Sequence, residues 1–314
     1  MKYLSSLLLI TSIAFISCKK ENNNTTSNTE NGDIRLKEIV AEMGDAITKI
    51  EFQYEDDKLA VQLKYRNEGG EMMHIVSKTE INYLDDKIEE IVYNYSEADS
   101  SYTPTSKSVS TYEGDRLIEM DAYYFNNIFV QYRTMLYQYQ NNKLIRTLDD
   151  NENENDFKNE FMYDGDFIST TKKFSGRILT DEWGQDENIQ FYYVDNKIDQ
   201  IISQYKEGDT WINRGLRGFD YSNNNQTKVN YSDWNYQLNN WDNYSAYSNY
   251  IYNNQGVLLE ELSESTRIVY NYESGSGNAN LFYKGHEYQF RQLPSVKNQR
   301  PMGDALMQEL RPVR

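Results

Sequence analysis

The chain has 314 residues, of which 38% are hydrophobic and 28 are tyrosines, and its formal net charge is −17. This length allows one large all-β domain or two ordinary domains. Basic surfaces bind phosphate backbones, so a chain with this negative charge is not expected to have a nucleic-acid partner.

The N-terminus has the layout of a secretory signal. A basic residue precedes the apolar run Leu4 to Ile16, which is too short to span a membrane. The run ends at Ser17 and Cys18, and Cys18 is the only cysteine of the chain. This ending resembles the lipobox of bacterial lipoproteins, in which the cysteine becomes the lipidated first residue. We therefore predict a signal peptide over residues 1–17 and lipidation at Cys18, with no disulfide or thiolate metal site.

Residues 18–33 follow as a polar tract. Its composition cannot bury enough apolar surface to order itself, and a flexible tether of this length averages about 20 Å from end to end. Its first residues, Cys-Lys-Lys-Glu, also resemble the start of surface-export tracts in lipoproteins of Bacteroidetes. We predict a protein anchored in the outer membrane by its acyl group alone, facing the periplasm or the cell surface.

A short motif recurs after the tether. It reads Tyr-x-[Asp/Asn/Gly]-[Asp/Asn]-[Lys/Arg]-[Leu/Ile] and occurs five times, beginning at Tyr54, Tyr83, Tyr112, Tyr139 and Tyr193. Looser copies begin at Tyr163, Tyr221, Tyr252 and Tyr272. The steps between these tyrosines are 29, 29, 27, 24, 30, 28, 31 and 20 residues. Such a period indicates one supersecondary unit repeated many times, and we assign residues 34–292 to one repeat domain.

Each copy predicts a β-hairpin. In the copy from Ile81 to Tyr95, apolar residues largely alternate on both sides of residues that tolerate turn dihedrals. The period leaves room for two strands of about eight residues and a four-residue turn. We predict an all-β protein, an antiparallel up-and-down meander of about 18 to 20 strands. So many twisted strands either form a large, flattened barrel or curl into a sheet that nearly closes.

The alternation of apolar and polar residues along a strand does not by itself distinguish a barrel in water from a barrel in a membrane. Strands of about eight residues are shorter than the nine to eleven that a tilted membrane strand needs. Charged residues near mid-strand, as in the segment Ile88 to Ile91, and the ending Arg311 to Arg314 also favour a barrel in water.

The repeats resemble those of Bacteroidetes lipoproteins of unknown function that have a porin-like β-fold. More distantly they resemble the Tyr-Asp repeats of Rhs-type proteins. A second element fits the same repeat pattern, because Trp211-Ile212-Asn213 and Trp241-Asp242-Asn243 each precede a later tyrosine of the series. Most copies lack the Gly-Arg core of the Rhs pattern. The resemblance implies a fold and a location, and it supplies no catalytic residues or cofactor.

Residues 293–314 differ from the repeats, because they contain three of the four prolines and an excess of basic residues. Proline breaks strand pairing. We predict a basic tail that either folds back on the acidic barrel as a plug or end cover, or remains a frayed terminus.

Few residues suggest chemistry. The only histidines are His74 and His286, and we interpret both as ordinary strand residues. Asp149, Asn151, Asn153 and Glu160 have the spacing of positions 1, 3, 5 and 12 of a calcium loop. A glutamate stands where the sharp turn of such a loop requires glycine, so a solvated connection is favoured and calcium is a weak alternative.

The segment from Tyr231 to Tyr244 is the most function-like stretch. Trp234, Tyr236, Trp241 and Tyr244 alternate with Asn and Asp, a mixture that can stack on sugar rings and bind their hydroxyls. The same mixture also forms an aromatic ladder along a sheet, which we favour.

Our leading hypothesis is a lipid-anchored, extracytoplasmic binding or scaffold protein without catalysis or cofactor, with a glycan or an envelope protein as its partner. The alternative is a carbohydrate-active enzyme or glycan-binding lipoprotein with a carboxylate and aromatic site in the barrel.

Overall fold

A computed structural model describes residues 34–277, apart from residues 68–71, 115, 152–155, 223–224, 244–245 and 255. All regular structure in this part of the chain is β-strand. Its strands are β1 (Ile34–Met43), β2 (Ala46–Glu55), β3 (Lys58–Asn67), β4 (His74–Tyr83), β5 (Lys87–Ser96), β6 (Ser101–Glu113), β7 (Arg116–Asn126), β8 (Ile128–Gln140), β9 (Lys143–Asn151), β10 (Asp156–Asp164), β11 (Phe167–Arg177), β12 (Glu182–Val194), β13 (Lys197–Glu207), β14 (Thr210–Ser222), β15 (Asn225–Asn235), β16 (Asn240–Trp241), β17 (Ala246–Tyr252), β18 (Leu258–Ser263) and β19 (Thr266–Ser274).

The strands form one antiparallel sheet that closes on itself. Each strand pairs with the next in the chain, and β1 pairs with both β2 and β19. The short strand β16 is an exception, because β15 pairs both with it and directly with β17. The ring therefore has 18 strands. The predicted all-β meander is confirmed. Of the two predicted forms, the closed barrel and the sheet that nearly closes, the closed barrel is observed. Closure pairs the first described strand with the last and so removes the exposed edges of an open sheet.

The two ends of the barrel differ in their connections. The turns that follow the recurring tyrosines all lie at one end, which we call the tyrosine end. Ile34 and Ser274, which pair with each other at the start of β1 and the finish of β19, lie at this end too. The other end, which we call the loop end, carries the remaining connections, among them those between β5 and β6 and between β11 and β12.

Strand register separates the interior of the barrel from its outer wall, because residues opposite each other on antiparallel strands point to the same side. Leu59, Leu117 and Ile168 are each 0% exposed and share one side of the sheet. A closed wall encloses only one side, so this side is the interior. Between β2 and β3, Phe52 opposite Gln62 faces inward, and Glu51 opposite Leu63 faces outward.

The recurring tyrosines form a ring inside the tyrosine end. In five hairpins the tyrosine lies opposite the motif's own Leu or Ile across the turn, as Tyr54 lies opposite Leu59. Seven of the hydroxyls donate a hydrogen bond to a backbone carbonyl of the preceding hairpin: Tyr54 to Leu36, Tyr83 to Leu59, Tyr139 to Leu117, Tyr163 to Leu144, Tyr193 to Ile168, Tyr221 to Ile198 and Tyr272 to Leu258. These seven bonds of the tyrosine ring thus fasten a hairpin to the one before it.

The basic residue of the motif covers the next tyrosine. Lys58, Lys143 and Lys197 place their ammonium groups 5.0, 5.2 and 5.3 Å from the ring centres of Tyr83, Tyr163 and Tyr221. A cation over the face of an aromatic ring is attracted to its electron cloud. Tyrosine, basic residue and Leu or Ile therefore act together between neighbouring hairpins.

The turns at the tyrosine end have the length that the sequence predicts. Asp56 and Asp57 have φ angles of 46° and 61°, and Asn141 and Asn142 have 52° and 61°. Two successive positive φ angles define a turn with two central residues whose twist matches that of the strands. These turns span four residues, Glu55 to Lys58 and Gln140 to Lys143, so the predicted four-residue turn is confirmed for these copies. The copy at Tyr83 differs from most others, because the register shift seen just before Tyr54 and Tyr112 is absent from its pairing.

The strands are also longer than predicted. All but β16, β17 and β18 have 9 to 13 residues, rather than about eight. Strand pairing continues to the loop end, so these strands include residues beyond the eight that were predicted for each. Strand length therefore does not exclude a membrane barrel. The distinction between a barrel in water and a barrel in a membrane depends on the composition of the outer wall.

Buried apolar residues form two clusters on opposite parts of the wall. One extends from Leu117 on β7 to Ile201 on β13, and the other includes Ile39 on β1, Phe52 on β2 and Tyr270 on β19. The ring tyrosines pack against both clusters. The interior is therefore apolar mainly where the tyrosines are.

Candidate functional site

The interior changes from apolar to polar between the tyrosine end and the loop end. Along β9 the inward side chains are Leu144, Thr147 and Asp149, in this order toward the loop end, and all three are at most 5% exposed. The side chains that can recognise a polar ligand therefore lie in the loop-end half of the interior.

Glu90 lies inside the barrel between the two apolar clusters. It is 7% exposed, and its neighbours across the strands are Ile81 and Ser108, with Ser106 and Ser110 on the same side of β6. Burial in these surroundings raises the pKa of the Glu90 carboxyl to about 8. The side chain is therefore protonated at neutral pH and is a neutral part of the interior.

Sequence reasoning missed Glu90 and counted it among the charges of an outer face. The signal was present, because Ile88 faces inward and strict alternation places Glu90 on the same side. Glu89 faces outward as expected and pairs with Lys107 at 3.4 Å.

A buried ion pair lies nearer the loop end. The Arg133 guanidinium donates through Nε and Nη2 to the two carboxylate oxygens of Asp149. Burial raises the pKa of Asp149, and the Arg133 contact acts in the opposite direction. Asp156 is also buried, and it accepts hydrogen bonds from the backbone N–H groups of Asn151 and Ile178 at 3.1 and 2.7 Å. Both carboxylates therefore hold strands and connections together.

The residues with calcium-loop spacing are not brought together. Asp149 faces the interior with Arg133, whereas Glu160 lies opposite Arg146 on the outer wall and contacts it and Lys158. Asn151 ends β9, and Asn153 lies outside the described residues. No group of three or more metal-ligating His, Cys, Asp or Glu side chains occurs within the described part of the chain.

The predicted aromatic site forms an arm at the loop end. Trp234 on β15 lies opposite Trp241 on β16, with ring centres 4.9 Å apart and planes at 77°. Tyr236 is 58% exposed at the tip, and Tyr244 lies outside the described residues. The structure thus brings the two tryptophans together in an edge-to-face pair. We call the hairpin formed by residues 234–241 the aromatic arm.

Side-chain hydrogen bonds stiffen the aromatic arm. The Asn235 carbonyl oxygen accepts from the backbone N–H groups of Gln237 and Leu238 at 3.1 and 3.0 Å, and its amide donates to Asp242 at 2.8 Å. A hydrogen bond with Tyr236 is the largest cause that raises the pKa of the Tyr205 hydroxyl to about 12. The tip is therefore held in one shape before any partner arrives.

The remaining candidate residues contribute little here. His74 begins β4 and lies opposite Arg66 on β3, as an ordinary strand residue would. Cys18, His286 and the whole segment 293–314 lie outside the described residues, as does the predicted signal peptide.

The outer wall carries ion pairs around much of the barrel. Three examples are Lys49–Glu51, Lys78–Glu80 and Lys107–Glu89, with N–O distances of 2.5, 2.6 and 3.4 Å. The same lysines lie 4.5 to 5.2 Å from the centres of outward aromatic rings. A Lys or Arg on the lipid face of a barrel costs about 2 to 4 kcal/mol at the bilayer midplane. This wall has the composition of a surface in water.

A glycoside hydrolase needs two carboxyl groups with different protonation states facing one substrate. Glu90 is protonated, but on the neighbouring strands β4 and β6 its inward neighbours are hydroxyl, apolar and aromatic side chains. Glu187 is bound by Lys173 at 2.7 Å, and Asp149 is bound by Arg133. Of these three interior carboxyl groups, one is therefore buried as the neutral acid and two are bound to basic side chains.

The class of protein that the strand pairing defines is a closed, antiparallel, 18-stranded β-barrel. In the described residues no helix is long and apolar enough to cross a membrane.

No protein-family model and no curated protein matches the chain. Among solved structures, it is similar to a porin-like protein from Bacteroides vulgatus, with 12% identity, 77% of this chain and 99% of that chain covered, and a TM-score of 0.39. A porin-like protein from Bacteroides uniformis has 10% identity, coverage of 76% and 96%, and a TM-score of 0.37. A protein of unknown function from Bacteroides fragilis has 10% identity, coverage of 45% and 89%, and a TM-score of 0.24. The barrel itself rests on the strand pairing, and these likenesses add no functional detail.

Proposed function

We propose that this chain is a lipid-anchored barrel of the bacterial cell envelope that works as a non-catalytic binding module. The observation that carries the proposal is the charged outer wall, which is unsuited to lipid. A barrel with such a wall reaches a membrane through an anchor, and Cys18 is the candidate residue for it.

The position at which β1 begins suggests how the anchored barrel would be oriented relative to the membrane. Ile34 begins β1 at the tyrosine end, and the polar tract 18–33 leads directly into it. A tether of about 20 Å would hold the tyrosine end near the lipid headgroups. The loop end, with the polar part of the interior and the aromatic arm, would then face away from the membrane and be open to a partner.

Acyl labelling and membrane fractionation test the anchor. Cys18→Ala, or globomycin treatment of the unmodified protein, is expected to abolish both label and retention in the outer membrane. Ser6→Ala, which changes the signal segment without removing the thiol, is expected to leave both intact. A Cys18→Ala protein that still carries label and sediments with the outer membrane would show that the anchoring proposal is wrong.

A further inference from the structure

The most exposed large apolar side chains are gathered at the loop end. Among the described residues, the four highest exposures belong to Leu179 at 98%, Met72 at 89%, Ile128 at 69% and Leu238 at 67%. All four lie on or directly beside connections at the loop end, and we call them the apolar tips. Single exposed apolar residues are ordinary on a protein surface, but their concentration at one end of a barrel is informative.

The apolar tips lie at four places around the mouth of the barrel, with four strands between successive tips and six strands between the fourth tip and the first. They lie where β3 connects to β4, β7 to β8, β11 to β12, and β15 to β16. Along the chain, four strands separate each tip from the next, which is about 19 Å measured across the strands. The connections between them are acidic and contain Asp45, Glu97, Asp99, Asp209 and Glu264. Within the described residues, acidic connections therefore lie in three of the four intervals between the tips, and those with Asp45 and Glu264 follow one another between the fourth tip and the first.

The aromatic arm is a further exposed element at the loop end. Tyr236 and Leu238 are both exposed at its stiffened tip, while each tryptophan directs an edge or a face at the other. Sugar recognition needs free ring faces, and the edge-to-face pair covers one face of one ring, which two rings lying side by side in one plane would leave open. Aliphatic tips such as Leu179 and Leu238 do not stack on sugars. They fit apolar depressions on a protein surface.

We infer that the loop end is a docking surface for a protein partner with a basic face that contains apolar depressions. The inference deepens the proposed binding function by naming the class of partner. Acidic loops attract a basic partner and set its orientation, and the apolar tips gain free energy when water leaves them. Because opposite charges steer encounter, association should weaken as salt screens them.

Site-specific photo-crosslinking in intact cells tests the docking surface even though the partner is unidentified. The photoreactive residue p-benzoylphenylalanine replaces Leu179 or Leu238 in the full chain, and as a matched control it replaces Val194, which is 58% exposed at the tyrosine end. We expect one discrete protein adduct from both loop-end positions and none from Val194. The captured protein should have a basic isoelectric point, and about 0.5 M NaCl should reduce the yield at least several-fold.

A second set of variants separates docking from folding. Leu179→Ser with Leu238→Ser should abolish the adduct formed from a photoreactive residue at Ile128 and leave thermal unfolding unchanged. Leu84→Ser, at a 59% exposed site of the tyrosine end, should preserve the adduct. Equal adducts from both ends, an acidic captured protein, label transferred to polysaccharide or lipid, a second copy of the chain, or no adduct would overturn the inference. Acyl labelling at Cys18 is read separately, so the anchor and the docking surface can fail independently.

Discussion

The two ends of this barrel use the same strands in opposite ways. At the tyrosine end, side chains are repeated, buried and bonded to their neighbours, as the hydroxyl of Tyr139 is to the Leu117 carbonyl at 3.0 Å. At the loop end, side chains vary between connections and several large apolar ones face solvent. The tyrosine end therefore holds the framework together through one repeated pattern, whereas the loop end relies on individual contacts such as that between Asp149 and Arg133.

The first test concerns the boundary between the two regions, where Glu90 is buried. The folded protein holds the Glu90 pKa near 8, whereas an unfolded glutamate has its ordinary value of 4.5. The protonated form is favoured by folding, so this contribution to stability is fully present below pH 4.5. It is lost as the pH rises through about 8, because the carboxylate must then be buried with its charge.

Glu90→Gln is expected to remove that pH dependence. From pH 5 to pH 9, the free energy of unfolding of the unmodified protein should fall by about 4 kcal/mol relative to the variant. Urea unfolding at a series of pH values measures the difference. Glu89→Gln, on the outer wall next to it, controls for the loss of one negative charge. Parallel pH curves for the unmodified protein and Glu90→Gln would contradict the buried, protonated state.

The second test compares two leucines at the extremes of exposure. Leu117→Ala removes a 0% exposed side chain under the tyrosine ring and should lower the free energy of unfolding by about 3 kcal/mol through lost burial and the cavity left behind. Leu179→Ala removes a 98% exposed side chain at the loop end and should change it by less than about 0.5 kcal/mol. The midpoints of denaturant unfolding measure both effects. Similar losses of unfolding free energy at the two sites would contradict the proposed division between the two ends.

The sequence allowed the repetitive part of this architecture to be predicted because each motif residue has a repeated role. Tyr139 binds the preceding hairpin, Lys143 covers the next ring, and Leu144 fills the core, so one pattern recurs. Details that depend on register were not predictable. The register between β9 and β10 sets Asp149 opposite Phe157, and it therefore places Asp149 and Glu160 on different sides of the sheet despite their calcium-like spacing.

The candidate site was only partly predictable for a related reason. Trp234 and Trp241 are close in sequence and lie opposite each other on paired strands, an arrangement compatible with the aromatic ladder that the sequence favours, but the sequence did not predict this particular pair. The apolar tips are single residues separated by about fifty positions along the chain, and the antiparallel meander places their connections at one end. Their exposure is a property of the loops and leaves no periodic signal.

The last and smallest effect concerns the hydroxyl groups of the tyrosine ring. Tyr139→Phe keeps the buried ring and removes only the hydrogen bond to the Leu117 carbonyl, so it should cost about 1 kcal/mol of unfolding free energy. Tyr93→Phe is the matched control on the outer wall, where the hydroxyl donates to Glu80 at 3.0 Å and water can replace it. The control should cost less than about 0.5 kcal/mol. Burial also raises the pKa of Tyr139 to about 12, as it raises the pKa of Tyr163 and Tyr193 in the same ring, so titration of the phenol absorbance should show a late step in strong alkali whose amplitude Tyr139→Phe reduces by one phenol. Equal stability losses from the two variants would mean that the tyrosine ring holds the hairpins by packing alone.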